Sequence, residues 1–160
     1  MKRSALAAAI ALAVAAPASA QEVVTIKRLS LDMATKAAQG AIAACREKGI
    51  QIGVTVVDRD GTVQVTLRDT IAAPITAPIS EMKAFTAVNF NAPTSALTAR
   101  ADSPIGRIDG LVMSAGGLPI QAGGALLAGI GVSGAPDGET DEACAQAGVD
   151  QIQSDLEMAL

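Results

Sequence analysis

The chain has 160 residues, of which 12 are basic and 16 acidic, and its formal net charge is −4. It contains two phenylalanines and no tyrosine, tryptophan or histidine. An acidic chain with so few aromatic side chains does not suit nucleic-acid binding, which needs a basic surface and stacking platforms. The missing histidine also removes the commonest general base and the commonest zinc ligand.

The first 20 residues have the organisation of a secretory signal peptide. Lys2 and Arg3 precede an apolar run that Pro17 closes, and small residues suited to cleavage follow. The run is shorter than the roughly 20 apolar residues of a membrane span. We therefore expect one domain over residues 21–160, periplasmic or secreted, with no membrane span after cleavage. Loss of the two basic residues leaves 10 against 16 acidic ones, a net charge of −6.

The first half of this domain predicts one helix and one hairpin. Ser30 is a good N-cap for a helix over residues 31–48, and Gly49 supplies a C-terminal stop. Residues 50–57 and 62–68 are rich in β-branched side chains and flank a turn sequence, which predicts a β-hairpin.

The second half predicts helices at both ends of a group of strands. A helix is expected to begin at Pro78 and to run to Phe90, and a short helical turn to follow from residue 93 to residue 100. Gly123-Gly124 predicts a tight hairpin, and the last helix begins near Thr140. Three strands are predicted in this half: 110–114, 118–121 and 125–133. The order favours an α+β fold with a five-stranded antiparallel sheet flanked by helices.

Residues 129–134, written GIGVSG, match the spacing of a dinucleotide-binding turn. Pro136 and Gly138 prevent a helix from beginning at Gly131, and no second strand follows to complete a βαβ unit. We therefore predict no NAD or FAD site. The glycines indicate a strand that packs closely on its neighbours.

The sequence offers little for catalysis. Ser133 lies in a stretch similar to a nucleophile elbow, but no histidine is present to accept its proton. Asp58, Asp60 and Asp69 could act as paired acids, although aspartates at a hairpin and a strand end are typical of turns. No catalytic residue is assigned, and an enzyme that uses these carboxylates remains an alternative.

Five motifs together resemble the GlcG/HbpS haem-binding-protein family, also called the domain-of-unknown-function 336 family. The resemblance covers residues 29–156 and rests on VTVVDRDG, KAFTA, APT, GGLPI and GIGVSGAPDGETDEACAQAG, in this order. It implies a profilin-like domain of α/β/α layers that often forms homo-oligomers, and some members bind haem. The family pattern has a histidine before the KAFTA helix, where this chain has Ile75, which cannot bind iron.

The resemblance also implies candidate ligand-binding positions. Without histidine or tyrosine, Met82 and Met113 remain as metal-ligand candidates, because Met33 and Met158 lie on the terminal helices. Core filling is the alternative for both. Arg68 and Lys83 could pair with a carboxylate or a propionate. The full set of candidates is Arg68, Asp69, Lys83, Thr86, Gly117 and Pro119.

Lys83 falls on or beside the apolar stripe of its helix, where a lysine either extends past the core, meets a carboxylate, or binds a ligand.

We predict an exported small-molecule-binding homo-oligomer, with haem or another anionic tetrapyrrole as a weakly bound ligand. The alternative is a structural or accessory subunit without a ligand.

The two cysteines leave two interpretations open. In an oxidising compartment, Cys45 near the end of the first helix and Cys144 near the start of the last could form a disulfide. This requires the two helices to pack antiparallel on one face of the sheet. The alternative is two buried thiols.

Overall fold

The computed structural model describes residues 24–160, so the predicted signal peptide lies outside the described residues. Within this range, no helix is long and apolar enough to cross a membrane. The elements in chain order are α1 (Leu31–Glu47), β1 (Gly53–Asp58), β2 (Val63–Arg68), α2 (Thr76–Phe90), two 3₁₀ helices (Thr94–Arg100 and Pro104–Arg107), β3 (Gly117–Ala122), β4 (Ala125–Ser133) and α3 (Gly138–Ala159).

The four strands form one antiparallel sheet in the order β2-β1-β4-β3. Both predicted hairpins are present, and Gly123 and Gly124 turn the second one with φ of +55° and +74°, a conformation that glycine adopts without strain. The α+β class is confirmed, but the prediction of five strands is wrong. The segment 110–114 forms no strand, because the backbone N–H of Val112 donates to a side chain on α2 and that of Leu111 closes a turn.

The helices cover the sheet in two layers. Helices α1 and α3 pack against each other and on one face, while α2 packs on the other. Most of the aliphatic core lies between the sheet and the α1/α3 layer, where Val54, Ile120, Ile130 and Ile152 are fully buried. A disulfide joins Cys45 to Cys144 inside this layer and links the end of α1 to the start of α3.

The glycines of β4 set the distance between the sheet and α2. A Cβ atom on Gly131 would lie 2.0 Å from the carbonyl oxygen of Ser80 and 2.5 Å from the backbone nitrogen of Ala84. One on Gly129 would lie 2.7 Å from the carbonyl oxygen of Ala84. The backbone of α2 therefore rests directly on β4, which accounts for Gly129 and Gly131 of the GIGVSG motif.

Candidate functional site

Lys83, a predicted ligand-binding residue, lies at the centre of a buried polar network. Its Nζ donates to Asp141 Oδ2 at 2.8 Å and to the carbonyl oxygen of Val132 at 3.0 Å. The other oxygen of Asp141 accepts the backbone N–H of Ala135 at 2.9 Å. Each side chain of the ion pair is only 5% exposed. The ammonium group of Lys83 thus already has a carboxylate partner, and the pair ties α2 to β4 and α3.

Burial dominates the electrostatics of this pair. Removal from water raises the pKa of the Asp141 carboxyl, and the Lys83 ammonium and the Ala135 N–H, which favour the charged form, oppose this shift. A buried carboxylate of this kind depends on its cation, because an unpaired charge in such a place is strongly unfavourable.

Further motif residues hold the segment between α2 and β3 in place. Thr94 Oγ1 accepts the backbone N–H of Gly117 at 2.8 Å. The carboxylate of Glu142 accepts the backbone N–H of Gly116 at 3.1 Å and the hydroxyl of Ser95 at 2.7 Å. These contacts fasten the first 3₁₀ helix and the start of β3 to α3.

The other predicted residues near α2 and β3 make similar contacts. Thr86 donates to the carbonyl oxygen of Met82 at 2.7 Å and accepts the N–H of Val112 at 2.9 Å. Pro119 pairs with Gly129 in the sheet, and Met113 is buried. Lys83, Thr86, Gly117, Pro119 and Met113 border none of the three cavities described next.

The smallest of these cavities lies beside α2 and measures about 300 Å³. It includes Met82, one of the two predicted metal ligands. Two carboxylates border it as well, so it suits an anionic ligand poorly. Its lining residues are Gly61, Glu81, Met82, Phe85, Asp109 and Gly110.

A second cavity, the polar groove, lies between α1 and the end of β2 and measures about 460 Å³. It brings together the predicted residues Arg68 and Asp69. Asp69 is paired with Arg46, whose Nε and Nη2 donate to its two oxygens at 2.7 and 2.6 Å, and this contact lowers the pKa of the Asp69 carboxyl. The polar groove is lined by Gln39, Ile42, Ala43, Arg46, Leu67, Arg68, Asp69 and Thr70.

A third cavity, the apolar groove, lies between the start of α1 and the end of α3 and measures about 390 Å³. Two cations stand at its edge. Arg28 binds Asp58 and Asp60, whereas Lys27 forms no ion pair within residues 24–160. The apolar groove is lined by Lys27, Arg28, Leu29, Ser30, Met33, Leu127, Asp155, Leu156, Ala159 and Leu160.

Sequence reasoning missed the apolar groove and with it Met33. Met33 was set aside because it lies on a terminal helix, yet the antiparallel packing of α1 and α3 places the start of one beside the end of the other. Leu31 and Leu160, at this end of the helix pair, remain 58% and 47% exposed. The disulfide interpretation already required α1 and α3 to pack antiparallel. That packing places the start of α1 beside the end of α3, and so it could have located this groove from the sequence.

The three aspartates considered as paired acids, Asp58, Asp60 and Asp69, each bind an arginine. Asp58 Oδ1 accepts the backbone N–H groups of Asp60 and Thr62, both at 2.9 Å, and so closes the first hairpin turn. Across residues 24–160, no three acidic or cysteine side chains cluster in a way that could hold a metal ion.

Comparison with known proteins places this fold. The chain is similar to the crystallised HbpS of Streptomyces reticuli, in a variant with two glutamates replaced by aspartates, at 43% identity and a TM-score of 0.77, covering 87% of this chain and 97% of that one. It is also similar to PduOC, solved as a complex with haem, at 26% identity and a TM-score of 0.73, covering 78% and 95%.

A Klebsiella pneumoniae protein, ORFY, shares the fold at 22% identity and a TM-score of 0.77, covering 82% of this chain and 95% of that one. No curated protein sequence matches the chain significantly. The model of the family described as haem-degrading protein HbpS-like matches residues 29–150. The chain therefore belongs to the HbpS-like (DUF336) family.

Proposed function

We propose that this protein binds haem, or a closely related anionic tetrapyrrole, in the apolar groove between α1 and α3. The observation that carries the proposal is an open apolar groove, in a family whose described activity concerns haem. At its border lie a thioether, that of Met33, and a cation, Lys27, which forms no ion pair within residues 24–160. The solved haem complex of PduOC supports the same ligand class.

The groove fits the chemistry of a tetrapyrrole in three respects. Its volume of about 390 Å³ lies within the roughly 300–1,000 Å³ typical of small-molecule sites. Leu29, Leu127 and Leu156 supply apolar surface for the macrocycle. Lys27 could pair with a propionate, and among the lining residues Met33 has the thioether that could bind the iron.

The same residues indicate weak binding. The chain has no histidine or tyrosine to hold the iron, and a solvent-exposed pair between Lys27 and a propionate contributes only about 0–1 kcal/mol. Affinity must therefore come mainly from apolar contact. We expect micromolar or weaker binding of haemin, with a broad Soret change.

A groove-filling variant tests the site. Ala159 lines the groove near the end of α3, so Ala159→Trp should fill the slot and weaken haemin binding at least tenfold in a Soret titration. The matched control is Ala143→Trp, which changes an exposed alanine on the same helix away from the groove. Equal haemin affinity in both variants would reject the apolar groove as the site.

A second pair of variants tests which methionine would bind the iron. Met33→Leu should shift the Soret band of bound haemin and weaken binding, because leucine keeps the apolar volume but lacks the sulfur. Met82→Leu, in the cavity beside α2, should change neither. The reverse pattern would assign the iron to Met82. Loss of the Soret band over time would show that the protein also degrades the haem that it binds.

We also propose that the protein is exported and self-associates. Export is supported by the signal-like residues 1–20 and by the Cys45–Cys144 disulfide, which persists in oxidising compartments. Self-association is supported by Ile71 and Ile75, which are 79% and 60% exposed before α2. Light scattering should give more than the monomer mass for the mature protein and the monomer mass for Ile71→Asp/Ile75→Asp. A monomeric mature protein would refute self-association.

A structural or accessory subunit without a ligand is the second candidate. It is favoured by the same exposed apolar residues, since they suit contact with another protein. Failure of haemin and of iron-free protoporphyrin to raise the melting temperature would favour this candidate over tetrapyrrole binding.

A further inference from the structure

We propose that the polar groove is a second ligand site, which binds a small organic carboxylate through Arg46 and Arg68. This site is independent of the tetrapyrrole proposal. Ala43, in the polar groove, is ten residues beyond Met33 on α1, or about 15 Å along the helix. The two grooves also use different partners of α1, namely β2 in one case and α3 in the other.

Arg46 is already oriented for a ligand. Asp69, whose side chain is only 2% exposed, binds the Nε and Nη2 edge of the guanidinium, while the Arg46 side chain itself is 59% exposed. The Nη1 group forms no hydrogen bond within residues 24–160. A guanidinium fixed on one edge and open on the other loses little conformational entropy when it binds a second carboxylate.

Arg68 supplies the second cation. Its Nη1 donates to the carbonyl oxygens of Ala72 and Asp69, which orient the group without neutralising it. Within residues 24–160 it forms no ion pair. The lining therefore contains two guanidinium groups and one carboxylate, that of Asp69, which is already paired with Arg46. One positive charge is left uncompensated.

The rest of the lining defines the kind of anion. Ile42, Ala43 and Leu67 provide an apolar wall, and Gln39 and Thr70 provide polar groups. A bare inorganic ion would leave this wall and most of the 460 Å³ in contact with water. A carboxylate attached to a short carbon skeleton would use both the cations and the apolar wall.

Methyl-labelled protein provides the test. Succinate and benzoate, each titrated at constant ionic strength, should shift the methyl resonances of Ile42 and Leu67. Arg68→Gln should weaken the binding at least tenfold. Arg68→Lys keeps the charge but loses the paired N–H donors of the guanidinium group, so it should give an intermediate loss. The matched control is Arg100→Gln, which removes an exposed arginine outside the groove.

Two further results decide the proposal. Binding of succinate should persist in Ala159→Trp, since that variant fills only the apolar groove, so failure of one site is distinguishable from failure of the other. Shifts that survive Arg68→Gln, shifts centred on other methyl groups, or equal binding of inorganic phosphate would each overturn it.

Discussion

Replacement of Lys83 by methionine should be among the most destabilising single changes in this protein. Methionine keeps most of the volume of the lysine stem but removes the ammonium group, which leaves Asp141 with only the Ala135 N–H as a partner. Both side chains are 5% exposed, so water cannot replace the lost cation. Breaking a buried ion pair in this way costs about 3–5 kcal/mol.

The cost should depend on pH in a defined direction. Burial already raises the pKa of Asp141, and removal of Lys83 should raise it further. The folded state then holds a proton that the unfolded state releases, so stability falls as pH rises between the unfolded and folded pKa values. The slope approaches about 1.4 kcal/mol per pH unit in that interval. Lys83→Met should therefore cost least near pH 4 and most near neutral pH.

Urea denaturation at several pH values measures this cost. Lys36→Met is the matched control, because Lys36 pairs with Asp155 at 2.6 Å but the two side chains are 45% and 37% exposed. A pair so exposed should contribute only about 0–1 kcal/mol. The reasoning would be refuted by equal costs for the two variants, or by a cost of Lys83→Met that does not grow from pH 4 to pH 7.

Three other variants test the packing and the remaining charges. Gly131→Ala should destabilise the protein strongly in urea denaturation, since the new Cβ would meet the carbonyl oxygen of Ser80; a cost below about 1 kcal/mol would contradict the close packing of α2. Replacing Cys45 and Cys144 together by alanine should lower the unfolding free energy by about 2–4 kcal/mol, because the bridge closes a long loop, and an unchanged midpoint would contradict this. Folding lowers the pKa of Asp69, so its stabilisation is present above about pH 4 and is lost as pH falls through the folded pKa. Asp69→Asn should therefore reduce the loss of stability on acidification, measured by circular dichroism. The same loss of stability at acid pH in Asp69→Asn as in the unchanged protein would contradict a stabilising role for Asp69.

Local patterns predicted most of the secondary structure. Ser30 caps α1 through its hydroxyl, which accepts the N–H of Met33, and the two hairpins follow from turn residues. The strand predicted over 110–114 is absent because the backbone N–H of Val112 binds Thr86, a side chain distant in sequence, and not a neighbouring strand. Strand formation depends on which partner reaches each backbone N–H, and composition does not contain that information.

The candidate sites were harder to predict for the same reason. Lys83 was correctly located near the apolar stripe of its helix, but its partner Asp141 lies 58 residues further on. Arg46 received no role, although it is the partner of Asp69 across 23 residues. Met33 was set aside as a residue of a terminal helix, and the groove that it lines forms only when α1 packs against α3. Each of these roles depends on tertiary contacts between distant segments.

The most direct test of the central claim maps the bound tetrapyrrole on the protein. In methyl-labelled protein, haemin should broaden the resonances of nearby groups through its paramagnetic iron, while zinc protoporphyrin should only shift them. We expect the broadening to be strongest at Leu29, Met33, Leu127 and Leu156, which line the apolar groove. Broadening centred on Met82 in the cavity beside α2, or on Ile42 and Leu67 in the polar groove, would contradict it.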